Sequence, residues 1–194
     1  MGMLLLCVIF YGCGISMKRQ SLIVGLCAAC FLLPVFRGDA DAVEKHQQGA
    51  QLVVQQSESD RAERLTAEGD RLRAEGDSDS LLRAVEVYQE ALDIFERLAS
   101  QQEKADVLLR LGFVYNSIGE KDKALEHYEQ ALPIFREVGN RFGEAATLNN
   151  IGLIYDSIGE KSKALEYYEQ ALPIRREVRD RSGEATPLKK IGLF

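Results

Sequence analysis

Leu111-Gly112-Phe113-Val114-Tyr115-Asn116-Ser117-Ile118-Gly119-Glu120-Lys121 recurs forty residues later as Ile151-Gly152-Leu153-Ile154-Tyr155-Asp156-Ser157-Ile158-Gly159-Glu160-Lys161. The same offset carries Lys123 through Ile134 onto Lys163 through Ile174, with His127 to Tyr167 as the one change. Gly143-Glu144-Ala145 returns as Gly183-Glu184-Ala185, and Ile151-Gly152-Leu153 as Ile191-Gly192-Leu193. A fixed period of this length marks a supersecondary unit that cannot bury its apolar face alone and must stack on its neighbours.

Within each unit the first half places Leu111, Gly112 and Tyr115, or Ile151, Gly152 and Tyr155, on one face of a helix. The second half places Ala124, Tyr128 and Ala131, or Ala164, Tyr168 and Ala171, at helical spacing as well. Small residues let two helices approach closely, and the aromatics fill the space between them. This spacing resembles the tetratricopeptide repeat (TPR). The resemblance implies an all-α solenoid of helix-turn-helix units, antiparallel α-hairpins wound into a right-handed superhelix. The period of forty rather than thirty-four is similar to the repeats of kinesin light chains and of bacterial multi-repeat proteins. Some of those carry a CHAT protease domain, which this sequence lacks.

On that pattern the chain divides into a degenerate unit at 62–104, full units at 105–144 and 145–184, and a truncated unit at 185–194. Ala84, Tyr88 and Ala91 mark the second helix of the degenerate unit, and Leu65, Gly69 and Leu72 its first. Pro133 and Pro173 fall late in second helices. Each removes a backbone donor and crowds the carbonyl four residues back, which predicts a bend.

Ahead of the repeats, Lys18-Arg19 precede an apolar run from Ser21 to Phe36, and Ala40 and Ala42 follow at small-x-small spacing. That order predicts a signal peptide within 1–42, starting at Met17 and cut after Ala42, and hence an exported, periplasmic or extracellular protein of bacterial type. The alternative is a membrane anchor through residues 1–36. All four cysteines (Cys7, Cys13, Cys27, Cys30) lie in this leader, so Cys27-Ala28-Ala29-Cys30 reads as part of an apolar run rather than a redox motif. A Gln-rich lead-in occupies 43–61.

The balance of 24 Lys and Arg against 30 Asp and Glu, net −6, argues against nucleic acid as partner, which requires a basic face. Chemistry has little to stand on. His46 and His127 are isolated, no cysteine remains after the leader, and His127 gives way to Tyr167 in the next unit, so it reads as a solvent-facing position. Ser117 and Ser157 read as local backbone bonders. Glu126 and Glu166 read as partners of Lys123 and Lys163 one turn away. The expectation is a non-catalytic protein without metal or cofactor.

The TPR resemblance implies a partner-binding groove lined by the first helix of each unit. Projected onto this chain, that groove holds Arg110, Phe113, Asn116, Asn149, Asn150, Leu153 and Asp156, joined by Lys189 and Lys190 of the truncated unit. Interior helical Asn is not favoured by propensity. An amide that both donates and accepts can clamp the main chain of an extended peptide, and Arg110, Lys189 and Lys190 would favour an acidic or C-terminal segment. The expected role is a protein–protein interaction scaffold, with self-association possible through an uncapped last unit. Two other readings are the regulatory arm or fragment of a larger protein, and a membrane-anchored assembly factor.

Overall fold

In the computed structural model, residues 37–192 are described, and the structural statements below concern these. The chain divides into two compact units, with the boundary between Val53 and Val54. The first contributes only the opening of α1 (Arg37–Glu75), and the second carries everything after it. There follow α2 (Ser78–Arg97), α3 (Gln101–Ser117), α4 (Lys121–Val138), α5 (Arg141–Ser157), α6 (Lys161–Glu177) and α7 (Arg181–Ile191). No strand occurs among the described residues. The expected leader, with Met17 and the cysteines, lies outside the described residues up to position 36, as do Leu193 and Phe194. The Gln-rich stretch 43–61 lies within α1, with Gln47, Gln48, Gln51, Gln55 and Gln56 exposed.

From α2 onward each helix packs on the next. In addition α3 touches α5 and α5 touches α7, so first helices line up beside one another across units. This is the layering of an all-α solenoid. The core repeats with the sequence: Leu111, Ala124, Tyr128 and Ala131 are buried, as are Ile151, Ala164, Tyr168 and Ala171. Tyr155 is partly covered while Tyr115 is buried.

Gly112 and Gly152 have a steric cause rather than a conformational one. A Cβ on Gly152 would lie 2.8 Å from the Tyr168 ring, and one on Gly69 would lie 2.5 Å from the Tyr88 ring. Gly112 stands against Tyr128 in the same way. The glycine lets the ring lie flat on the first helix's backbone, which is how each hairpin closes.

The turns between units follow a second rule. Ala99, Gly139 and Arg179 occupy equivalent positions forty residues apart, and all three adopt the left-handed conformation, with φ of 55°, 74° and 58°. Only the middle one is glycine, so the other two hold a side chain where a Cβ costs roughly 1 kcal/mol. After the second and third of these turns the next helix starts on a side-chain cap, whereas Ser100 makes none. Asn140 accepts from the Gly143 amide at 2.8 Å, and Asp180 accepts from the Gly183 amide at 2.9 Å.

One core position breaks the repeat. Phe135 is wholly buried against Gly143. Forty residues on stands Arg175, also buried, which pairs with Asp180 and lies with its guanidinium 5.6 Å from the Phe142 ring centroid. Its Nε has no hydrogen-bond partner. Phe135 and Asn140 have thus become Arg175 and Asp180, an aromatic and a neutral cap exchanged for an ion pair.

Several local expectations change. His127 does not face solvent: it is half-buried and stacks on Tyr115, with centroids 5.1 Å apart and planes 10° from parallel. Tyr167 makes the same stack on Tyr155 at 5.5 Å, so a flat ring is what this position requires. Lys123 and Lys163 do not pair with Glu126 and Glu166. They reach back to Glu120 and Glu160 at 3.4 and 3.6 Å, and their Nζ atoms lie over the Tyr115 and Tyr155 rings. Pro133 and Pro173 lie inside α4 and α6, which end at Val138 and Glu177. Ser117 and Ser157 donate to the carbonyls of Phe113 and Ile154, as expected.

Candidate functional site

The faces of α3 and α5 that the hairpins leave open carry the predicted groove residues. Phe113 and Leu153, each directly after a hairpin glycine, are 42% and 37% exposed, too open for core residues of their size. Between them Asn116, Asn149, Asn150 and Asp156 are half-buried. The Asn149 Oδ1 is shut off from solvent and has no hydrogen-bond partner. A buried amide oxygen left unsatisfied is costly to the fold.

The charged members behave differently from expectation. The Arg110 Nε donates to both carboxylate oxygens of Asp70, at 3.1 and 3.2 Å, and its Nη1 reaches the Asp106 carbonyl. Lys190 is held by Asp156. Lys189 is exposed, and no ion pair engages it among the described residues. Two of the three cations expected to attract an acidic segment are therefore already neutralised by carboxylates of the neighbouring first helix. Charge complementarity inside the stack has consumed them.

These pairs also serve the core. The Tyr88 hydroxyl donates to Asp70 at 2.7 Å, and Asp70 in turn holds Arg110. Forty residues on, Asn150 lies beside the Tyr128 hydroxyl, and in the next unit Asp156, paired with Lys190, faces the Tyr168 hydroxyl. Burial raises the pKa of all three phenols, that of Tyr168 to about 12, and the Tyr168 hydroxyl has no hydrogen-bond partner. Arg110 thus reaches the buried tyrosine of the preceding unit through Asp70, whereas the Tyr168 hydroxyl is left without such a bond.

Asp70 was not singled out from the sequence. Its signal was present: it follows Gly69 as Phe113 follows Gly112, so it belongs on the same open face. Arg73 stacks its guanidinium 5.1 Å from the Phe113 centroid, joining α1 to this surface. Between α1 and α3 lies a cavity of about 160 Å³ lined by Glu63, Thr66, Phe95, Glu103, Asp106, Val107 and Arg110.

The family model that matches is the tetratricopeptide repeat, over residues 103–177. Those residues are tetratricopeptide repeats. The matched stretch spans α3 to α6, with the two hairpin glycines and the tyrosines that cover them. No curated protein matches the chain. Solved structures do. A kinesin light chain of Podosopora anserina with nearly identical TPR-like repeats is 18% identical over 67% of this chain and 64% of that one, at a TM-score of 0.57. A signal transduction ATPase with numerous domains (STAND) from Pyrococcus horikoshii, with a tetratricopeptide repeat sensor, is 22% identical over 56% of this chain, at a TM-score of 0.53. The chain spans 17% of that protein's length and less than two thirds of the kinesin light chain. At these identities the likeness concerns the fold. TPR folds are generally non-catalytic and generally engage other proteins or peptides.

Proposed function

We propose that this chain is a non-catalytic scaffold whose open first-helix face holds an extended segment of a partner protein. The observation that carries the reading is the exposed apolar pair Phe113 and Leu153, at equivalent positions of the contacting helices α3 and α5. An extended segment can lay alternate side chains on the apolar pair while its main chain runs past the half-buried amides of Asn116, Asn149 and Asn150. Asn150, Asn116 and Asp156 flank the same line. Arg110 and Lys190 work inside the stack, so an acidic partner has little beyond Lys189 to attract it.

Crosslinked pulldown with the full chain tests this. Asn149→Ala and Leu153→Asp should each reduce partner capture several-fold, while Glu126→Ala on the outer helix leaves it unchanged. Equal capture by all three variants would remove the groove from consideration. Export through the leader belongs to the same proposal, since it sets which partners the scaffold meets. N-terminal sequencing of the mature protein should return Val43 as the first residue, and a start well before it would contradict cleavage.

A further inference from the structure

The cavity between α1 and α3 differs in character from the middle of the face. Its floor is apolar, made by Phe95 from α2 and by Val107, with Thr66 beside them. Its rim carries three carboxylates, Glu63, Glu103 and Asp106, against one cation, Arg110, whose guanidinium is engaged by Asp70. None of the three acids has an ion-pair partner within 4 Å among the described residues; the Asp106 carboxylate accepts only from Gln102, at 2.9 Å. The volume of about 160 Å³ is well beyond the roughly 15 Å³ that a single water requires.

We infer that this cavity receives the side chain of an arginine or lysine from the partner's extended segment, so that the scaffold selects basic rather than acidic sequences. The inference rests on the groove reading above and names its partner chemistry. Three arguments narrow the occupant. An acidic side chain would be repelled by the rim. A purely apolar one would strip water from the carboxylates and return nothing. A compact metal ion is poorly served, because no group of three or more His, Cys, Asp or Glu among the described residues is placed to hold one. A long basic side chain satisfies both parts of the site, laying its methylenes on Phe95 and Val107 and its charge among the acids. Arg110 and Asp106 of the lining lie about one and two helical turns before Phe113 on α3, so one extended segment can reach both.

The test uses a probe that needs no groove. Nα-acetyl-arginine N-methylamide is titrated into the full-length ¹⁵N-labelled chain and amide shifts are followed, with the norleucine and glutamate analogues as controls. Saturating shifts are expected at Thr66 and Val107 for the arginine compound alone. Affinity should fall about threefold or more in Asp106→Asn and in Glu103→Gln, and should weaken as salt rises. Unperturbed amides elsewhere in each variant's spectrum verify that it is folded. Equal shifts from norleucine, no shifts from the arginine probe, or binding indifferent to both substitutions would overturn the assignment. Each of those results can arise while Asn149→Ala still reduces partner capture several-fold, so failure of the cavity and failure of the groove are separable.

Discussion

Replacing Arg175 and Asp180 together by Phe and Asn restores the pair that the preceding unit carries as Phe135 and Asn140, and the outcome can be anticipated from the structure. Arg175 and Asp180 retain only 9% and 11% of their side-chain exposure, so both charges have given up most of their water. The Arg175 Nε lacks a partner, so the return on that burial is incomplete. Exchanging such a pair for well-packed apolar groups is neutral or stabilising, by about 1–4 kcal/mol where measured. Asp180 also accepts from the Gly183 amide and the Ser182 hydroxyl, which offsets part of its burial and points to the low end.

The space is right for the ring: Gly183 stands beside Arg175 as Gly143 stands beside Phe135, and Phe142 lies alongside. The amide oxygen brought in by Asp180→Asn can still accept from the Gly183 N–H, as the Asn140 oxygen does from Gly143. The double variant should therefore gain about 1 kcal/mol, a Tm rise of roughly 2–4 °C for a chain of this size. Asp180→Asn alone should lose about 2–3 kcal/mol, because it leaves a buried guanidinium unpaired. Urea and thermal unfolding by circular dichroism measure the sum. Hydrogen exchange of the α7 amides locates it, since repeats need not melt together. If Asp180→Asn is as stable as the parent, or the double variant is less stable than either single variant, the reading of Arg175 as a costly substitute for phenylalanine is wrong.

Two further outcomes are expected. Ala99→Gly and Arg179→Gly should each stabilise by roughly 0.5–1 kcal/mol, because glycine adopts the left-handed turn without a Cβ penalty and the gain exceeds the added chain entropy; chemical denaturation reads this, and destabilisation by either change would count against strain at these turns. Burial lowers the pKa of His127 below its ordinary value, partly opposed by Glu126. The neutral ring's contribution is thus present above the unfolded-state value near ~6.5 and is lost as pH falls through the lower folded-state value. His127→Tyr, the residue of the next unit, should flatten stability between about pH 7 and pH 5. An unchanged slope would show that the Tyr115 stack does not hold His127 neutral.

The sequence alone determined the hairpins and their stacking. A literal forty-residue period with glycine, tyrosine and alanine at helical spacing admits few arrangements, because each tyrosine needs a glycine to lie against and each hairpin needs a neighbour to cover it. The resemblance to tetratricopeptide repeats pointed to the first-helix residues Phe113, Asn149 and Leu153, of which Phe113 and Leu153 are exposed. The sequence did not reveal that Arg110 and Lys190 were already occupied. Their partners, Asp70 and Asp156, lie 40 and 34 residues away, on the neighbouring first helix in each case. Periodicity assigns a residue to a face but says nothing of which opposite charge the next unit brings against it. The solvent-facing reading of His127 failed for a related reason: Tyr167 in its place records that a flat ring is needed, and only the packing of α4 on α3 supplied the ring beneath it. Which charges remain free to meet a partner is decided between helices, where distance and burial set the electrostatics, and there the structure occupies two of the three cations on which an acidic preference would rest.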